Sequence, residues 1–212
     1  MYIPQAFRED RIEWLSVLMR DCPLATLVTL GNSGLVASHV PLIYEPLPDS
    51  PGVLHGHLAR ANAQWQDLRP DVDALAIFHG PQAYISPSWY ATKQQSGRVV
   101  PTWNYAVVHA YGKMEVYTET GRLRKHLESL TAEHEKKYSP WKPSDAPAEF
   151  FEALLNAIVG IDIRITRLEG KWKVSQNRSP EDRNGVVAAL TGQDELNSRA
   201  MAELVRKSLP EE

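Results

Sequence analysis

Hydrophobic positions run first with a helical period, then alternate, and later return to helical spacing. Residues 8–20 put Ile12, Leu15, Leu18 and Met19 on one face, which predicts a helix closed by Pro23. Strand-like stretches follow at 24–30 and 35–44, separated by the turn signal Gly31-Asn32-Ser33-Gly34. The Pro-rich stretch 46–52 reads as a loop. Residues 53–58, 74–79, 82–85 and 99–118 supply further strands, the last interrupted near Pro101. Leu123, Leu127 and Leu130 share a helical face, with Thr131 as a cap for a separate short turn. Asp145 is placed to cap an amphipathic helix that carries Phe150, Phe151, Leu154, Leu155 and Ile158. Ile161, Ile163 and Ile165 alternate with polar residues as in a half-buried strand. Glu169-Gly170 is expected to turn that strand into a partner at 171–176. Ser179-Pro180-Glu181-Asp182 starts a helix, and Thr191-Gly192-Gln193 divides it from a last helix at 194–209.

Strands with inserted and trailing helices, lacking a βαβ rhythm, predict an α+β fold around a closed or partly closed β-barrel. The 212 residues suffice for one large domain. Residues 1–192 are expected to form it, with 193–212 as a helix packed on it or on a partner subunit. No apolar run approaches the ~18 residues of a membrane span. The amino terminus lacks the basic start and apolar core of a secretion signal. Cys22 is the single cysteine, which fits a reducing compartment. A cytoplasmic protein is the expectation.

Several segments depart from plain patterning. HGHLARANAQW, residues 55–65, sets Arg60 and Asn62 between a strand end and a helix start, where N–H groups and a guanidinium favour a phosphate. An exposed arginine at a helix entry would look the same. YISPSWYATK (84–93) and VPTWNY (100–105) place Trp89, Trp103, Asn104 and Lys93 near strand ends. Such a cluster can wall a flat heterocycle or fill a core. In KWKVSQNR (171–178), Lys171, Lys173 and Ser175 share one strand face, ahead of Gln176. His55 and His57 share a strand face, a spacing that can ligate a metal. No Cys, Asp or Glu beside them in sequence completes such a site, so no metal is expected.

Taken in order, ASHVP, HGHLARANAQW, IFHGP, YISPSWYATK, VPTWNY, PWKPSDAP and KWKVSQNR resemble the PaiB-like family, described as FMN-binding negative transcriptional regulators. The resemblance covers residues 1–190. It implies an FMN-binding split β-barrel, like pyridoxamine-phosphate oxidases and flavin reductases, with peripheral helices. It also implies a homodimer with FMN at the subunit interface. Carried over by motif, Ser38, His39 and Val40 would lie beside the flavin, with His57 near them, while Arg60 and Asn62 would meet its phosphate. Trp103 and Asn104 would flank the ring or ribityl chain, and Lys173 and Gln176 would approach from a carboxy-terminal hairpin.

Charge limits the regulator reading. Between Ser179 and Glu212, seven acids (Glu181, Asp182, Asp194, Glu195, Glu203, Glu211, Glu212) face four bases (Arg183, Arg199, Arg206, Lys207), a net −3. That sign opposes phosphate contact by the only helix-turn-helix candidate, so direct DNA binding is not expected. An FMN-dependent oxidoreductase of flavin-reductase or oxidase type is the alternative, although no catalytic acid or base stands out. A haem-binding barrel with a histidine ligand is a third.

Overall fold

The computed structural model describes residues 1–138 and 141–208. Leu209, Glu211, Glu212 and Pro140 of the PWKPSDAP motif lie outside the described residues. In chain order the elements are β1 (Arg8–Glu9), α1 (Ile12–Asp21), β2 (Leu24–Gly31), β3 (Gly34–Pro41), β4 (Ile43–Leu47), β5 (Ser50–Ala59) and β6 (Ala74–Ile85). They continue as α2 (Thr92–Ser96), β7 (Thr102–Tyr117), α3 (Thr120–Glu135), α4 (Ala148–Asn156), β8 (Ile158–Lys173), α5 (Pro180–Thr191) and α6 (Leu196–Lys207). No helix among the described residues is long and apolar enough to cross a membrane.

Hydrogen bonding orders the sheet β3-β2-β6-β7-β8-β5-β4, with β1 paired to β8. The pairs with a defined register are antiparallel. The two ends of that order, β3 and β4, are consecutive in sequence. Only Leu42 separates them, and its N–H donates to the Pro23 carbonyl at 2.9 Å. The stretch 34–47 thus pairs with β2 through its first half and with β5 through its second. This is how a split barrel closes: one chain segment supplies both edges.

The chain divides into two compact units, residues 1–18, 79–108 and 169–212 in the first, and 19–78 and 109–168 in the second. Strands β6, β7 and β8 contribute residues to both. In the second unit Leu27, Leu54, Phe78, Ile161 and Ile163 are fully buried. A satellite core of Tyr117, Leu123, Phe151 and Leu155 lies under α3 and α4, backed by Leu127 and Ile158. In the first unit α5 packs on α6, whose Met201, Ala202 and Val205 are buried along one stripe. Ser179 caps α5 as expected, its hydroxyl accepting from the Asp182 N–H at 3.3 Å.

Four local expectations are corrected. Arg8 and Glu9 are not helical; they bridge to Lys171 and Gly170, and α1 starts at Ile12. The Gly80-Pro81 pair does not interrupt β6. The recorded β2 partners end at Ile77, so the N–H that Pro81 lacks falls beyond that ladder. Asp145 sits in a short 3₁₀ turn, Pro143–Asp145, and the cap position of α4 belongs to Pro147. Helix α3 runs through Thr131 without a break.

The expected hairpin at Glu169-Gly170 is also absent, because β8 continues straight through it to Lys173. The glycine serves close approach instead. A Cβ on Gly170 would meet the Leu15 side chain and the Glu9 carbonyl oxygen well inside van der Waals distance. Gly170→Ala is therefore expected to lower unfolding free energy by about 1–3 kcal/mol through overpacking. Urea titration followed by circular dichroism checks this, and a variant as stable as the parent would contradict the close packing of β1 on β8.

Candidate functional site

In the second unit the ARAN segment is built around backbone repair. Asn62 caps a 3₁₀ turn, its side-chain oxygen accepting from the Gln64 N–H at 3.0 Å while its amide donates to Ser38 Oγ at 3.0 Å. Gln64 is buried, and its amide nitrogen donates to Leu27 O, Thr29 Oγ1 and Val36 O, tying β2 to β3. Arg60 donates from Nε to Asn156 O at 2.7 Å and from Nη2 to Ile158 O at 2.9 Å. Its backbone N–H takes the Ala157 carbonyl at 2.8 Å. The residue thus satisfies three carbonyls at the carboxy-terminal end of α4, leaving Nη1 with no partner among the described residues. Along β3, Ser38 is half-buried, His39 is exposed on the opposite face, and Val40 is in the core.

In the first unit, Trp103 and Tyr84 meet edge to face with ring centroids 6.0 Å apart, and are 54% and 48% exposed. Two large aromatic rings that pack on each other and stay about half open to solvent form an apolar wall. Beside them, Lys173 donates to Thr102 Oγ1 and to the Trp103 carbonyl. Burial, with Lys171 and Arg178 adding repulsion, lowers its pKa. Asn104 is buried and donates to Ser175 Oγ at 2.9 Å. Ser175 holds φ = 66°, the left-handed conformation that lets the chain leave β8. The Gln176 side chain accepts from Val174 N–H at 2.8 Å and donates to the Trp172 carbonyl, so it is spent on its own turn. Asp182, also buried, accepts from Thr92 N at 2.8 Å and Thr92 Oγ1 at 2.9 Å, anchoring the loop after β6 to α5.

The predicted residues therefore fall into groups. Ser38 and Asn62 are in hydrogen-bond contact, as Asn104 is with the turn that Lys173 and Gln176 flank. His57 lies against α3, with Nδ1 3.0 Å from His126 Nε2. The neighbouring His55 is held from both sides: Nδ1 is 2.8 Å from Asp162 and Nε2 is 2.9 Å from Glu45. Arg122 takes the other oxygen of Asp162 and lies over the Tyr117 ring, 3.9 Å from its centroid.

The charges in this cluster shift one another. The hydrogen bond that His55 donates to Asp162 raises the His55 pKa against its burial, helped by Glu45. Burial pushes the Asp162 carboxyl up, but His55 and Arg122 more than offset it and its pKa is lowered. Burial and the Asp162 charge raise Tyr117 to about 12. Burial holds His126 down to about 4, with His57 and His55 repelling its charged form. Among the described residues no group of three or more His, Cys, Asp or Glu could hold a metal. Sequence reasoning missed Asp162, Arg122, His126 and Glu45. Only Asp162 left a trace, as an acid on an alternating strand opposite the His55 stretch.

The sign of the His126 shift gives a test. Its pKa lies below the unfolded value of about 6.5, so the unfolded chain binds more protons, and stability falls as pH drops from about 6.5 toward 4. Between pH 7 and pH 5 this one group should cost roughly 1–2 kcal/mol. Urea unfolding of His126→Phe is expected to show a pH dependence smaller by that amount. Parallel pH profiles for the two proteins would show that His126 does not carry the linkage.

For FMN, the donor chemistry fits. The ligand combines a flat ring, polyol hydroxyls and a phosphate dianion. The first unit, taken by itself, offers an aromatic wall with an ammonium beside it, which suits a flat ring. The second, by itself, offers the Ser38 hydroxyl and an Arg60 Nη1 with no partner among the described residues, which suit hydroxyls or a phosphate.

Comparison with known proteins agrees. Residues 1–167 match the family described as "Putative FMN-binding domain". The chain is 33% identical over 210 residues to the protease synthase and sporulation protein PAI 2 of Bacillus subtilis, covering 99% of this chain and 98% of that one. It is 35% identical to an uncharacterized protein of Emericella nidulans over 243 residues, covering 98% and 97%. A solved FAD and heme binding protein from Mycobacterium smegmatis superposes with a TM-score of 0.57 over 78% of this chain and 73% of that chain, at 17% identity, a likeness of fold. With its motifs, its barrel closed by residues 34–47 and its near full-length relatives in agreement, the chain belongs to the FMN-binding domain family, as a PaiB-like flavin-binding split β-barrel.

Proposed function

We propose that this protein works as an FMN-loaded homodimer of regulatory type, acting on gene expression without reading DNA itself. The observation that carries the dimer is the solvent-facing pair Tyr84 and Trp103, together with Val100, all in the first unit. In the second unit Leu35 on β3 is 78% exposed. Exposed apolar surface of this kind is characteristic of a face that takes a ligand or another chain. The residues that would hold FMN are Ser38, His39, Arg60 and Asn62 from the second unit, with Val40 packing behind them. From the first unit they are Trp103 and Lys173, with Asn104 and Gln176 fixing the turn that carries them. Bound FMN supplies a two-electron redox centre; the protein's part is to bind it, orient it and shield it from water.

The regulatory part of the reading rests on the family resemblance and on the relative named for protease synthesis and sporulation. The acidic balance of residues 179–212 supports indirect action, since a surface that contacts phosphates is basic. Arg183 is also engaged internally, donating to the Ser208 carbonyl at 2.7 Å across the α5–α6 pair.

Two measurements test the proposal. Light scattering of the flavin-loaded protein at micromolar concentration is expected to give about twice 23.9 kDa; a monomer that retains FMN would refute the dimer. Arg60→Ala is expected to weaken FMN about ten- to a hundredfold and to leave riboflavin, which has no phosphate, nearly unchanged. Fluorescence quenching of the apoprotein reads both affinities. Equal losses for the two ligands would instead assign Arg60 to clamping the end of α4 alone.

A further inference from the structure

On the outer side of the barrel, a cleft of about 420 Å³ opens between α3 and the β4–β5 hairpin. Ile43, Tyr44, Pro46 and Tyr117 supply its apolar wall. One face of α3 supplies the polar wall: Arg122, Lys125, His126 and Ser129 fall at i, i+3, i+4 and i+7. The volume lies within the range of small-molecule sites, and apolar walls with a few convergent polar groups are their usual lining.

The polar groups of this cleft are not balanced. Its two carboxylates are already committed, Asp162 to His55 and Arg122, and Glu45 to His55. Lys125 Nζ, Ser129 Oγ and His126 Nδ1 have no partner among the described residues. Arg122 is paired with Asp162, so of the cleft's cations Lys125 alone has no carboxylate partner among the described residues. The uncommitted groups are thus mainly donors, and one of them is a cation.

The histidine pair adds direction. Only one proton can lie between His57 Nδ1 and His126 Nε2, and both rings are kept neutral by burial. If His57 donates it, His126 must carry its own proton on Nδ1, which then points a neutral N–H donor into the cleft. An acceptor bound there would select that tautomer.

We propose that this cleft is a second ligand site, distinct from the flavin site, that takes a small monocarboxylate with an apolar body. Lys125 and Arg122 supply the charge, His126 Nδ1–H and Ser129 hydrogen-bond the carboxylate, and the Tyr44, Pro46 and Tyr117 wall covers the body. A phosphate dianion would overcharge the pocket, and a neutral amide would leave Lys125 unpaired.

The test uses the full chain loaded with FMN and ¹⁵N-labelled, titrated with benzoate, benzamide and inorganic phosphate. Benzoate is expected to give saturable shifts confined to residues 43–46, 122–129 and 162, and to move His126 Nδ1 toward its protonated position. Lys125→Ala places a good helix former at an exposed site, so the variant should fold as the parent does. It is expected to weaken benzoate about tenfold. No saturable shift with benzoate, an unchanged affinity in Lys125→Ala, or tighter binding of benzamide or phosphate would each overturn the proposal. These signals come from the cleft and not from flavin absorbance, so they are read independently of the FMN assignment.

Discussion

A sheet of this size has two edges, and an unpaired edge exposes a row of backbone donors and acceptors that must be covered or joined. Here the constraint is met by a single fourteen-residue segment, Gly34–Leu47, which leaves β2 and arrives at β5. The hand-over takes place at Leu42, a fully buried side chain whose N–H is redirected to the Pro23 carbonyl. Gly56 lies opposite, where a Cβ would run into Leu42, so β5 must stay bare at that point for the segment to pass. Gln64 then ties β2 to β3 from inside, an amide placed where three acceptors converge. Much of the local chemistry in the second unit can be traced to this closure.

Closure also leaves an outer surface that α3 and α4 cover only in part. Under Phe151 and Leu155 the cover is apolar; toward β4 it becomes polar, with Asp162, His55, the half-buried His57 and the buried His126. Burying such groups is unfavourable unless each finds a partner. Here the partners come in a chain, with Arg122 bonding Asp162, Asp162 bonding His55, and His55 bonding Glu45. Gly160 on β8 makes room for the Tyr117 ring that backs this chain, since a Cβ there would collide with it.

The parts of this fold that were legible in the sequence are those that local chemistry decides. The alternation of Ile161, Ile163 and Ile165 gave a strand, and Ser179-Pro180 gave a helix start, because each depends only on its neighbours. Gly80-Pro81 and Glu169-Gly170 misled for the converse reason. Both carry local turn signals, yet both lie within long strands whose course is set by elements far away in sequence. At Gly170 the deciding neighbours are Leu15 and Glu9, more than 150 positions earlier. The His57–His126 pair was illegible for the same reason: 69 residues separate two histidines that individually resemble ordinary surface ones.

Motif strength also turns out to measure something other than ligand contact. Many of the residues that make ARAN, VPTWNY and KWKVSQNR recognisable are ones that the backbone needs. Asn62 caps a turn, Arg60 repairs the end of α4, Gln176 satisfies its own loop, and Asn104 holds the left-handed Ser175. Each such position admits few residue types, because a buried or terminal backbone group is costly to leave unpaired. A family pattern built from such residues reports the architecture that makes a flavin site possible before it reports the site. The exposed Trp103 and Tyr84 are different in kind, since no neighbour among the described residues uses their open faces. A large ring that is held rigidly but left uncovered lacks a structural reason of its own, and its reason then lies with what binds there.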